Sequence, residues 1–351
     1  MTSNQKLSFA SDYMEGAHPA IMDRLLSTNM MKTSGYGTDQ FSEAARQRIR
    51  QACRAPEADI FFLVGGTQTN ATVIDAMLAS YQGVIAADTG HISIHEAGAI
   101  EAGGHKVLLL PQHEGKLQAK DISHLIQSYW EDENHEHMVM PGMVYLSQPT
   151  ESGTLYSLSE LEAISSVCRQ AGIPLYLDGA RLAYALACPE NDASLADIAR
   201  LCEVFYIGGT KCGALFGEAV VFPRHNTVPH FFTQVKQHGA LLAKGRLTGL
   251  MFDTLFTDGL YERIGQNAIQ KADQIRRCLH EAGYSFYLET PTNQIFILLT
   301  KQESDALCRL VTLDFWAKLP DDLAVMRIAT SWATTQEDTD ALCSVLKKVK
   351  K

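Results

Sequence analysis

The sequence predicts an α/β protein in which a large domain, a mainly parallel seven-stranded sheet between helices, is followed by a smaller C-terminal α+β domain. Three observations carry this expectation. Seven short runs are continuously apolar, as strands covered on both faces must be. Helical patterns fill the intervals between them. The 351 residues, 46% of them hydrophobic, exceed what one compact unit usually holds.

The expected strands, in order, are "DIFFLV" (59–64), "GVIAA" (83–87), "HKVLLL" (105–110), "GMVYLS" (142–147), "IPLYLD" (173–178), "EVFYIG" (203–208) and "EAVVF" (218–222). Ile74, Met77, Leu78 and Tyr81 follow the spacing of one helical face, and so do Leu158, Leu161 and Ile164. From about residue 240 the texture changes. A helical stretch (260–282) precedes the strand-like segments "YSFYLE", "NQIFILLT" and "AVMRIATSW". A last helix repeats Leu342, Val345, Leu346 and Val349 and is capped by Thr335 with Asp338 at its third position. The expected divisions are an N-terminal arm (1–16), a large domain (17–239) and a small domain (240–351).

A net charge of −10 sets the protein against nucleic acid and anionic membranes, and points to a small-molecule partner. The eight cysteines form no CxxC pair and read as reduced thiols. The start "MTSNQKLSFASDYMEG" has no apolar signal core, so a cytoplasmic location is expected. The run "EDENHEH" (131–137) reads as a solvated loop, and no metal is expected.

Ligands of parallel α/β sheets bind where the strands end, and three loaded stretches fall there. In "LVGGTQTNATVIDAM" a strand runs into Gly65 and Gly66 and a helix opens at Thr67, so free N–H groups and a hydroxyl can meet a phosphate. The stretch fits neither the P-loop nor the GxGxxG pattern, and such a turn is also an ordinary helix cap. In "IPLYLDGARLAYAL" an apolar strand ends in Asp178, with Arg181 three residues on. In "VFYIGGTKCGALFG" another ends in glycines and Lys211. That lysine either snorkels to solvent or, enclosed and desolvated, becomes a nucleophile for carbonyls. Phosphate cradle, lysine and carboxylate together fit pyridoxal 5'-phosphate (PLP), with Asp178 opposite a ring nitrogen that it keeps protonated.

With "GGTQTNATVI", "HISIHEAGAIEAGGHKV", "LDGARLAYAL", "EVFYIGGTKCGALFGEAV", "LLAKGRLTG" and "MRIATSWATT" in order, the sequence resembles the threonine aldolases of the β-eliminating lyase group, within the fold-type I, aspartate-aminotransferase-like PLP enzymes. The resemblance runs from about residue 10 to 340. It implies a Lys211 Schiff base, Asp178 as pyridinium partner, and His91 stacked on the ring and available for acid–base chemistry. It places Gly66 and Thr67 on the phosphate, aided by Lys244 of a neighbouring subunit. Arg181 would lie by the cofactor and the substrate carboxylate, with Ser11 and Arg327 binding that carboxylate and Tyr36 entering from the partner subunit. Sites shared within a homodimer or homotetramer follow.

Read without the family, Ser11 is a possible helix cap, Tyr36 a turn residue and Arg327 a strand-edge charge. His91 and His95 stand at i, i+4 without an HExxH context. Many family members carry a histidine in the segment that reads "SQPTESGT" here, where Glu151 stands instead. His91, His95 and Glu151 are therefore the candidates for handling the substrate's β-hydroxyl. The expected activity is cleavage of threonine or allo-threonine to glycine and an aldehyde. The alternatives are another fold-type I β-elimination and a catalytically silent PLP-binding scaffold.

Overall fold

The computed structural model describes residues 6–350. A short strand, β1 (Leu7–Ser8), lies apart from a large sheet built of β2 (Asp59–Leu63), β3 (Gln82–Ala87), β4 (Val107–Leu110), β5 (Met140–Ser147), β6 (Leu175–Asp178), β7 (Val204–Gly208) and β8 (Glu218–Phe222). The spatial order is β2-β8-β7-β6-β5-β3-β4. All neighbours pair in parallel except β8, which runs antiparallel to both β2 and β7. The seven apolar runs are thus the seven strands of one sheet. Their continuity has the expected cause, since β6, β7 and β8 are buried at every position.

The strand directions place the site. Parallel β3, β5, β6 and β7 deliver their carboxyl ends to one edge, and β2 points the same way. Because β8 is reversed, its first residue, Glu218, stands at that edge too. Side chains two apart on a strand share a face. Tyr145 and Ser147 therefore point to one side of the sheet, as do Tyr176 and Asp178, and the pairing sets Tyr145 beside Tyr176 and Ser147 beside Asp178. The helix Gly66–Met77 covers this face, with Val73 and Ile74 fully buried in the same cluster as Tyr145, Tyr176 and Tyr206.

One helix boundary departs from the sequence pattern. The helix ends at Met77, Leu78 adopts an extended conformation, and Tyr81 lies beyond it, 65% exposed. The chain needs this turn to enter β3 at Gln82, which overrides the helical spacing of the last two apolar residues.

Beyond β8, the helix Arg246–Leu255 packs on the helix Gln40–Ala52, and its Met251, Phe252 and Leu255 join the large-sheet core. The helix Leu260–Ala282 starts in that core with Ile264 and Ala268, and ends in a separate cluster with Ile275 and Leu279. That second cluster sits under an antiparallel sheet. Its strands are β9 (Ser285–Leu288), β10 (Gln294–Leu299), β12 (Asp314–Lys318) and β13 (Ala324–Ala329), in the order β12-β13-β10-β9. β1 pairs in parallel with the two-residue β11 (Val311–Thr312), tying the start of the chain to this unit. The last helix, Gln336–Val349, has the expected capping box of Thr335 and Asp338. The helix Lys301–Leu310 and β12 carry weak sequence patterns; the helix buries only Leu307. All eight cysteines are free, six of them buried. Among the described residues no helix is long and apolar enough to cross a membrane.

Candidate active site

At the carboxyl edge of the sheet lies a cavity of about 310 Å³ lined by Gly66, Thr67, His91, Asp178, Arg181 and Lys211, together with Ser147, Glu151, Tyr206 and Glu218. These residues come from the ends of six strands, brought together by the order and direction of the strands in the sheet.

Asp178 is 3% exposed and has a full set of donors. Its Oδ2 accepts from the Tyr145 hydroxyl at 2.6 Å and the Asn70 amide at 3.0 Å, and its Oδ1 accepts from the Ala180 N–H at 3.0 Å. Burial pushes its pKa up, but the nearby His91 and hydrogen bonds from Tyr145, Tyr206 and Asn70 outweigh this and hold it below the ordinary carboxyl value. The carboxylate is therefore charged inside the core, ready to face a cation.

Lys211 lies three residues past β7, in a turn where Thr210 Oγ1 and the Gly209 N–H both bind Glu218. Two glycines allow β6 and β7 to turn this closely. A Cβ on Gly179 would stand 2.1 Å from the Tyr206 carbonyl, and one on Gly208 2.3 Å from that of Ala180. Burial, reinforced by the Arg181 charge, lowers the Lys211 pKa. The amine is thereby biased toward its neutral, nucleophilic form.

The helix Gly66–Met77 begins at Gly65 with no side-chain cap, so its first N–H groups have no partner within the helix. A Cβ on Gly65 would meet nothing within 4 Å, and Thr67 is exposed at the cavity. An open, donor-rich cradle of this kind suits a phosphate. The cavity therefore offers anion cradle, enclosed amine and buried carboxylate, the donor set that PLP requires.

His91 opens a short helix after β3; its Nδ1 lies 2.6 Å from Glu96 Oε1. The same Glu96 oxygen accepts from Asn70 at 2.7 Å, so Asn70 joins His91 to Asp178 through Glu96. Arg181 makes a two-pronged pair with Asp12, at 2.6 and 3.0 Å, and Asn293 also donates to Asp12 at 3.0 Å. Burial raises the Asp12 pKa, yet Arg181, Lys211 and these hydrogen bonds bring it down to about 2.

Ser11, His95 and Arg327 do not line the cavity. The Ser11 hydroxyl is buried without a partner, beside Asp12. Arg327 donates to Gln294 at 2.9 Å and pairs with Asp314 at 2.8 Å, its Nε unpartnered. His95 leans against His91 at 5.6 Å and Trp316 at 5.7 Å between ring centroids; burial, then the positive groups around it, lower its pKa. Tyr36 and Lys244 are elsewhere. Tyr36, 45% exposed with a positive φ of 58°, borders a different cleft, and Lys244 is exposed on the loop beside it.

The sequence pattern missed Asp12, Asn70, Glu96, Tyr145 and Glu218. Each reads in one dimension as a cap, a helix residue or a strand residue. The one available signal was polarity at positions that helix or strand period assigns to the interior.

The beta-eliminating lyase profile matches residues 8–301. The low specificity L-threonine aldolase of Pseudomonas aeruginosa is 30% identical over 304 residues, covering 85% of this chain and 86% of that protein. The threonine aldolase of Leishmania major superposes with a TM-score of 0.94 at 40% identity, covering 98% of this chain and 99% of that one. The Thermus thermophilus aspartate aminotransferase shares the fold, with a TM-score of 0.71 at 14% identity. Sequence and fold together place the chain in the beta-eliminating lyase family.

Proposed function

We propose that the protein is a PLP-dependent aldolase that cleaves threonine or allo-threonine to glycine and an aldehyde. The observation that carries this is the convergence of Lys211, Asp178 and the uncapped helix at Gly65–Thr67 on one cavity. The similarity to threonine aldolases supports the substrate class. PLP, when bound, supplies a conjugated ring that takes up the electron pair released at the substrate's Cα.

The chain's own groups do the rest. Lys211 would hold PLP through its enclosed amine. Asp178 would pair with the ring nitrogen, Gly66 and Thr67 would hold the phosphate, and His91 would stack on the ring. Arg181, fixed by Asp12, orients the substrate carboxylate, with Ser11 and Arg327 as its further ligands. The resemblance alone supplies this assignment for Ser11 and Arg327, which lie outside the cavity lining.

Tyr36 borders a separate cleft and Lys244 is exposed beside it; the resemblance assigns both to the cavity of a second copy, which makes a symmetric dimer the smallest complete unit. Mixing Lys211→Ala with Tyr36→Phe subunits should then restore part of the activity, since one site of each mixed dimer carries neither change. No gain on mixing removes the shared site. The free thiols favour a reducing, cytoplasmic setting.

Incubating the cofactor-loaded protein with threonine tests the reaction class. Glycine and aldehyde in equal amounts are expected; ammonia with 2-oxobutanoate would mark β-elimination instead, and neither product would leave a silent scaffold.

A further inference from the structure

Three carboxyl groups line the cavity, and they are not equivalent. Both oxygens of Asp178 are engaged by donors of the chain. Those of Glu218 are engaged too, Oε1 by the Thr210 hydroxyl at 2.8 Å and Oε2 by the Gly209 N–H at 3.0 Å. Glu151 divides its two oxygens. Oε1 accepts from Ser147 Oγ at 2.6 Å and from the His91 N–H at 3.0 Å. Oε2 has no donor from any other described residue, and Glu151 lines the cavity.

The turn that carries Glu151 is fixed. Thr150 and Thr154 bond through both backbone and hydroxyls, the Thr154 hydroxyl reaches the Glu114 carbonyl, and the Thr292 hydroxyl donates to the Gly153 carbonyl from the start of β10's loop. A carboxyl with one oxygen anchored and the other free is a preset proton acceptor.

From this asymmetry we infer that Glu151, through Oε2, takes the proton of the substrate's β-hydroxyl. The inference rests on the aldolase reading above. The step balances without an oxidant. As Oε2 takes the proton, the O–H electron pair forms the aldehyde C=O bond and the Cα–Cβ bond breaks. Its pair stays on the glycine side, where a proton added at Cα completes the product. The net change is one proton moved from oxygen to Cα.

The two histidines are less suited. His91 Nδ1 is committed to Glu96, and His95 lies outside the cavity lining against Trp316. Burial raises the Glu151 pKa and Asp178 pushes it the same way, while Ser147, the residue's own backbone N–H and His91 act against this. Arg181, Tyr145 and Tyr156 feel its charge in turn. The acid limb of kcat/KM should therefore lie above the ordinary glutamate value of 4.5.

Glu151→Gln keeps Oε1 and both its donors but replaces Oε2 with an amide that cannot accept the proton. Threonine cleavage should fall about a hundredfold or more, and the acid limb should vanish. Cofactor affinity, followed by absorbance titration, and exchange of the glycine α-proton in D2O should stay within a few-fold, because neither involves a β-hydroxyl. Cleavage retained within a few-fold overturns the inference, and so does an equal loss of cleavage and exchange, which marks a structural role. His95→Gln should cleave normally; a large loss there with Glu151→Gln intact moves the role to His95. If the unaltered protein exchanges glycine protons but cleaves no β-hydroxy amino acid, the aldolase reading itself fails and this inference falls with it.

Discussion

Asp178 and Glu218 stand at the same sheet edge, separated by β7, and each is 3% exposed. They differ in charge. Asp178 is held below the ordinary carboxyl value, whereas burial lifts the Glu218 pKa to about 8 against the pull of Thr210, Gly209 and Lys211. Burial is the first influence on both, so depth does not decide the outcome. Asp178 gathers tyrosine, asparagine and backbone donors and faces His91; Glu218 has one hydroxyl and one N–H. A buried carboxyl is ionised when its donors replace the water it has lost. One edge thus holds an anion for a cation partner and a carboxyl whose proton burial holds more tightly, up to about pH 8.

Substitutions at this edge separate the two acids, beginning with the residue between them. The largest effect belongs to Lys211, which lies between the two acids along the chain. Lys211→Ala should lower turnover on the order of 10^4-fold or more, by loss of a covalent nucleophile. Circular dichroism should remain that of the folded protein, and near-normal turnover would remove Lys211 from its role. Asp178→Asn comes next. It preserves the shape but not the charge, and should cut kcat about a hundredfold with cofactor still bound. Glu218→Gln, neutral for neutral, should leave kcat within a few-fold. Equal losses in these two variants would erase the distinction between the acids.

Asp12→Asn tests the second charged pair of the site. Leaving the nearly buried Arg181 without its anion should cost about 3 kcal/mol, read by urea denaturation of the cofactor-free protein. The sign in pH follows from the depressed pKa. The Asp12 contribution is present above 3.8 and is lost as pH falls through about 2. Glu218 has the opposite sign. Its folded pKa is raised, so its contribution is full below 4.5 and is lost as pH rises through about 8. The smallest expected effect is therefore a flatter dependence of Tm on pH across that window in Glu218→Gln, measured by calorimetry. An unchanged slope would contradict a neutral Glu218.

The large sheet was legible because strands buried on both faces need continuous apolar runs, and nothing else in "IPLYLD" or "VFYIG" competes with that signal. The half-exposed β12 and the helix Lys301–Leu310 were not legible, because few of their residues meet the core. Lys211, Asp178, Arg181 and the Gly65–Thr67 turn stood out as charge or glycine placed where an apolar strand ends. Asp12 did not. It sits beside Ser11 in an ordinary-looking pair, and its partner Arg181 is 169 residues away.

What the sequence determined by itself is the alternation of buried strand and helix, and with it the edge at which the charged residues emerge, since periodicity and apolar content are local properties. The charge states, the link from His91 through Glu96 and Asn70 to Asp178, and the free oxygen of Glu151 were decided only by the tertiary structure. They depend on which donors from distant segments reach each carboxyl, and that number is set by the order and direction of the strands.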